Sequence, residues 1–140
     1  MSPQDRPGLH RAYLAVALGS ALGGALRWWL SEWLQAAPGQ GFPWGTLWVN
    51  VSGSLLIGWY AARVAAAHGR RSKLRQLFFM TGFCGGYTTF SIFSLETLLL
   101  LEAGRHGLAG GYVLTSLLLW LAGVWAGWQL GSQGRWGAAR

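Results

Sequence analysis

The segment TGFCGGYTTFSIFSLETLLLL, Thr81 to Leu101, is apolar enough to cross a membrane, yet its centre carries paired glycines, paired threonines and nearby serines. Gly in a helix interior costs roughly 1 kcal/mol relative to Ala, so a segment meant only for anchorage has no use for such a centre. Gly85 and Gly86 followed by Thr88 and Thr89 continue a helix poorly, and local unwinding there would leave backbone carbonyls without intrahelical donors. At membrane depth these groups are satisfied by protein or by a coordinated cation, as in discontinuous membrane helices. An intact but kinked helix packed through its glycines is the other reading.

Further residues have types and spacings suited to an anion. Phe90 and Phe93 lie one helical turn apart and share a face; a ring edge carries partial positive charge and attracts an anion without supplying a full charge. Core or lipid-facing packing is the ordinary role of such rings, but Thr89, Ser91 and Ser94 flank this pair. Asn50 lies four residues after Thr46, on one face with Gly53. Its amide offers two N–H donors and one acceptor, for interhelical bonding or for a dehydrated anion. Tyr112 and Ser116, again four apart and with Thr115 beside them, carry hydroxyls that can donate to a passing anion; Tyr112 also suits an interface anchor. Arg27 and Glu96 are the charges left at membrane depth. Glu96 can pair with a base or bind a proton or cation, and Arg27 is close enough to its span's outer end to snorkel.

These residues need helices to hold them. The chain has 140 residues, 52% hydrophobic and only 11% charged, and a span takes about 20 mostly apolar residues. Four such stretches are expected, roughly 12–34, 46–67, 77–101 and 108–130, in one domain covering 1–140. They consume most of the chain, so the expected fold is an all-α integral membrane protein of four transmembrane helices with the third broken at its centre. The polar segments Ser2 to Gly8 and Ser132 onward read as tails. Gln35 to Pro43, His68 to Arg75 and Gly104 to Gly107 read as turns.

The net charge of +7 does not indicate nucleic acid, because the bases sit in loops and tails rather than on a folded basic surface. It reports orientation instead. At least eight of the eleven bases fall at the two termini or around the second connection, which places both termini in the cytoplasm by the positive-inside rule. Trp28, Trp29, Trp33, Trp44 and Trp48 gather at the opposite face as an aromatic belt. Gly19 and Gly23, with Gly123, Gly127 and Gly131, follow the small-xxx-small spacing that lets membrane helices approach. Four spans enclose a pore poorly, so a dimer is expected. Cys84 is the single cysteine and reads as a packed apolar residue. His10, His68 and His106 lie near span ends or in loops; with no nucleophile set or metal-ligand cluster, an enzyme is not expected.

GGALRWW in the first span, FPWGTLWVNVSGSLLIG in the second and TGFCGGYTTFSIFSLE in the third resemble, in that order, the CrcB/Fluc fluoride channels. The resemblance implies an antiparallel, dual-topology dimer in a prokaryotic plasma membrane, the inner membrane if the cell is Gram-negative. It further implies two pores, each lined by both chains, that passively export cytoplasmic fluoride and so protect against its toxicity. A structural Na+ would lie at the dimer centre on main-chain carbonyls, which map here to Gly85 and Thr88. Asn50, Phe90 and Phe93 map to pore residues, and Tyr112 and Ser116 to a polar track in the fourth helix.

Two departures from the family pattern stand out. The loop-charge bias is larger than dual insertion favours, so the partner is either a second copy or an oppositely oriented homologue. Ile92 also stands between the phenylalanines, where a hydroxyl residue is usual. The competing function is a proton-coupled small multidrug exporter using Glu96; a purely structural membrane partner would carry no flux.

Overall fold

The computed structural model describes residues 8–34, 41–67 and 72–133. Most of the expected tails and of the first connection, and half of the second, lie outside the described residues. Helix α1 spans Leu9–Leu34 and α2 spans Trp44–Ala66. A helical run over 73–87, here α3, joins an α turn at Lys73–Gln76, a π-helical stretch at Leu77–Cys84 and a further α turn at Gly85–Tyr87. After a break come α4, Ser91–Glu102, and α5, His106–Ser132.

Helices α1 and α2 have 26 and 23 residues, which at 1.5 Å per residue gives roughly 35–39 Å, longer than a hydrocarbon core. The broken unit Lys73–Glu102 and the helix His106–Ser132 are both long and apolar enough to cross a membrane. Large apolar side chains point outward: Leu14 and Leu18 on α1, Leu98 on α4, and Leu114 and Leu121 on α5 are all more than half exposed. Contiguous apolar surface of this kind needs lipid or protein cover.

Where helices meet, small residues decide the geometry. The faces of Gly19 and Gly23 on α1 lie against the backbone of α3 around Phe78 and Phe83, while Gly123, Gly127 and Gly131 on α5 lie against the backbone of α2 at Val51, Leu55 and Trp59. A side chain at these positions would hold the helices apart, which matters where lipid supplies no hydrophobic drive for association. Between α4 and α5 the chain reverses through Gly104, whose φ of 70° is the left-handed conformation. The amides of Gly104 and Arg105 donate to the carbonyls of Leu101 and Leu100 at 3.0 and 2.9 Å, which is a Schellman closure.

The interruption in the third unit falls later than the glycines suggest. Gly85 and Gly86 are helical, and the first extended residue is Thr88, with φ −79° and ψ 157°. Gly86 instead permits close packing, since a Cβ there would run into the backbone of Ser20 on α1. The π-helical stretch before the break is widened by one residue per turn, a feature frequent at functional sites. Phe79 and Phe83 of this stretch and Tyr87 of the following turn form a stack with centroids 5.6 and 5.8 Å apart, which Tyr60 of α2 extends at 4.5 Å.

Candidate functional site

The site is organised by one side chain reaching the break from another helix. Asn50 on α2 is buried; its Nδ2 donates to the Thr89 carbonyl at 2.8 Å, and its Oδ1 accepts from the Thr89 amide at 2.8 Å. The amide thus pairs with extended backbone much as a neighbouring strand would. One Nδ2 hydrogen remains for another acceptor.

Thr89 also starts α4. Its hydroxyl accepts from the Ile92 amide at 3.2 Å and is 3.2 Å from the Ser91 hydroxyl, serving one of the amides that a helix start leaves open. Thr88 turns back instead, with its amide and its hydroxyl both donating to the Cys84 carbonyl, at 3.0 and 2.9 Å.

These bonds divert donors from particular carbonyls. In an unbroken helix the Gly85 carbonyl would receive the Thr89 amide, which Asn50 has taken; the Thr88 carbonyl would receive the Ile92 amide, which the Thr89 hydroxyl has taken. Next in the chain after Gly85, the Gly86 carbonyl is served by Arg27 on α1, whose Nε donates to it at 3.2 Å. Arg27 is therefore directed at the break rather than snorkelling outward, because a carbonyl freed at membrane depth needs a donor.

Next to the break is a cavity of about 280 Å³ whose lining includes Asn50, Gly85, Thr88, Thr89, Phe90 and Trp120. Of the two phenylalanines, Phe90 lines this cavity and Phe93 belongs to the core behind it. Phe90 stands 69% exposed, while Phe93 is 6% exposed and packed in the core, their centroids 5.5 Å apart. Phe93 in turn contacts Tyr112 at 5.1 Å and Trp120 at 4.9 Å, the latter edge-on at 69°.

Beyond Phe93 lies a second polar centre. Glu96 accepts the Thr46 hydroxyl on Oε1 at 2.8 Å and the Tyr112 hydroxyl on Oε2 at 2.7 Å. Tyr112 is fully buried, so its hydroxyl is engaged with a carboxylate and not held open for an anion. Thr46 likewise serves Glu96, although it shares a helix face with Asn50. Ser116 is also fully buried, but its hydroxyl has no hydrogen-bond partner.

The structure thus brings Asn50, Gly85, Thr88 and Phe90 to one cavity and sets Phe93, Tyr112 and Ser116 in the adjoining core. Sequence reasoning passed over Thr89 as the clamped residue and Tyr87, whose hydroxyl lies 2.9 Å from that of Ser52. It also passed over Trp120, which continues the four-residue spacing of Tyr112 and Ser116.

A family model described as "CrcB-like protein, Camphor Resistance (CrcB)" matches residues 14–128. A Rhodospirillum rubrum protein named "Fluoride-specific ion channel FluC" is 51% identical over 118 residues, covering 82% of this chain and 90% of its own length. A Rhodopseudomonas palustris protein named "Fluoride-specific ion channel FluC 1" is 47% identical over 127 residues, 89% of this chain and 86% of its own. A Thermus thermophilus protein named "Fluoride-specific ion channel FluC" is 48% identical over 119 residues, with 85% and 92% covered.

Proposed function

This chain belongs to the CrcB family, and from that premise we propose that it is a fluoride-selective channel through which cytoplasmic fluoride leaves the cell passively. The observation that carries the reading is the conjunction, at one cavity, of the Asn50 amide, Thr89 and the Phe90 ring, in a chain about half identical to proteins named as fluoride channels. Its relatives are named as channels and not as enzymes.

Fluoride is small and strongly hydrated, so a narrow path must replace its water with close donors. The second hydrogen of Asn50 Nδ2, the one O–H that the Thr89–Ser91 pair leaves free and the edges of Phe90 and Phe93 supply partial positive charge without a cation, which suits a site that must also release its ion. Phe93 is fixed by its core contacts, while Phe90 is free on its own chain. That difference supports a dimer in which Phe90 is completed by a partner subunit, with two pores between antiparallel copies or with an oppositely oriented homologue. Four spans in a prokaryotic plasma membrane complete the arrangement, with both termini of a chain on one side, the cytoplasmic side for the orientation that the loop charge favours.

The carbonyls of Gly85 and Thr88 are suited to a hard cation such as Na+: both are oxygen donors, and the amides that would occupy them are engaged elsewhere. Bound there, the cation would neutralise their outward dipoles and hold the break. Asn50, Thr89 and Arg27 set the backbone around them.

Fluoride efflux from liposomes containing only this purified chain, against a chloride control, tests the function. Rapid loss of fluoride without chloride is the expected result. No fluoride loss from folded protein, alone and with candidate partner subunits, would overturn it.

A further inference from the structure

Among the described residues, one end of the bundle carries bases and no acid. Arg11 lies in the first turn of α1, Arg63 in the last turn of α2, and Lys73 and Arg75 in the first turn of α3, and all four are exposed. These turns share an end: α1 touches the Lys73–Gln76 turn, and Tyr60 of α2 stacks on Phe79 of α3. Of the acids, Glu32 and Glu102 lie in the last turns of α1 and α4, at the opposite end, and Glu96 accepts from Thr46 and Tyr112. The helix dipole accounts for one base of the four, since it favours a cation at a helix C-terminus, as at Arg63, and disfavours one in a first turn.

Arg63 is also held in place. Its guanidinium lies over the ring of Trp59, one turn back, at 5.5 Å from the centroid. A guanidinium resting on a ring keeps its N–H donors for an anion, and its fork matches the oxygens of a phosphate. Orientation by loop charge requires bases near a span end but fixes none of their side chains. The depth fits a headgroup layer: Trp44 opens α2 and Arg63 follows 19 residues later, about 28 Å along the axis at 1.5 Å per residue, close to the hydrocarbon thickness. With the exposed Trp44 at one interface, Arg63 falls at the other.

We propose that this end of the bundle binds an anionic phospholipid, its headgroup phosphate seated on the Arg63 guanidinium and drawn there by the field of Arg11, Lys73 and Arg75. The inference needs only a chain that spans a membrane and does not rest on the channel reading. Charge selects the headgroup. A zwitterionic lipid brings its own cation to an end that holds four bases and no carboxylate, whereas an anionic lipid brings none. The acyl chains select a lipid over free phosphate, because Trp125 and Leu130, toward the same end of α5, are more than half exposed and offer apolar surface beneath the headgroup.

Native mass spectrometry of the purified full chain, with its melting temperature in detergent, tests the proposal using phosphatidylglycerol against phosphatidylcholine of the same acyl chains. Phosphatidylglycerol is expected to stay bound and to raise the melting temperature by several degrees, and phosphatidylcholine and inorganic phosphate to do neither. Arg63→Gln and Trp59→Leu are each expected to weaken phosphatidylglycerol binding at least fivefold, while Arg105→Gln, which removes one base from the opposite end, leaves it unchanged. Equal retention of the two lipids, or equal losses from Arg63→Gln and Arg105→Gln, overturns the site by showing that net charge alone is at work. Stabilisation by inorganic phosphate overturns the lipid as occupant. Should Arg63→Gln not fold, Arg63→Lys keeps the charge and loses the planar fork; a Lys variant that binds like the wild type overturns Arg63 as the seat.

Discussion

Asn50 holds Thr89 by both ends of its amide, with two bonds of 2.8 Å between residues 39 positions apart in sequence. No other hydrogen-bonding side chain of similar size has both a donor and an acceptor in that planar arrangement except Gln, whose extra methylene shifts it. Asn50→Leu removes both bonds and strands two buried backbone groups, at roughly 1–3 kcal/mol each. The expected outcome is a clearly lower melting temperature in detergent together with loss of fluoride efflux. Asn50→Asp keeps the acceptor for the Thr89 amide but repels fluoride, so efflux is expected to vanish with a smaller loss of stability.

The two phenylalanines separate fold from flux. Phe93 is packed against Tyr112 and Trp120, whereas Phe90 is 69% exposed on its own chain. Phe93→Ala is expected to cost roughly 3 kcal/mol in unfolding free energy. Phe90→Ala is expected to leave the melting temperature of the dissociated chain within a few degrees and still reduce fluoride efflux at least tenfold. Thermal unfolding and liposome efflux on the same preparations check both.

Arg27 is expected to act through the Gly86 carbonyl it bonds at 3.2 Å. Arg27→Met leaves that carbonyl unserved and should destabilise the protein by about 1–3 kcal/mol. Arg27→Lys, which keeps a donor, should recover much of the loss. A melting temperature that is the same for Met and Lys would show that the bond does not matter.

The four helices were legible because each expected span is an apolar run of membrane length, and the helices of the structure overlap all of them. The break was legible in kind, and it falls at the threonine end of the expected Gly85–Thr89 stretch rather than at its glycines. Propensity points to Gly85 and Gly86, but tertiary contacts use Gly86 for close approach to Ser20 and give the extended conformation to Thr88. No local signal reports that, since the residue enforcing it is Asn50 on another helix. Tyr112 shows the same limit: a hydroxyl at the right spacing was visible, but its engagement with Glu96 depends on how α4 and α5 face each other.

If the Gly85 and Thr88 carbonyls hold Na+, exchanging Na+ for a large organic cation during purification should lower the melting temperature and slow fluoride efflux, both reversibly. Identical melting in the two salts would exclude a structural cation. Screening by ionic strength is held constant by the exchange.

Glu96 separates a channel from a proton-coupled exporter. Glu96→Gln retains hydrogen-bonding capacity toward Thr46 and Tyr112 but cannot carry a proton through a cycle. Fluoride efflux is expected to persist within about tenfold of wild type and to remain independent of an imposed pH gradient. Complete loss from folded protein, with gradient dependence in the wild type, would favour the exporter.

The dependence of the break on Asn50 also sets an order of events in biogenesis. Before α2 docks, nothing prevents the Thr89 amide from returning to the Gly85 carbonyl, one turn back in an ordinary helix. The third unit can therefore enter the bilayer as a continuous, self-satisfied rod, the form that insertion favours. Only when Asn50 arrives and takes that amide does the carbonyl become free. The feature that looks most hazardous to a nascent membrane segment is thus deferred until a neighbouring helix is in place to receive it.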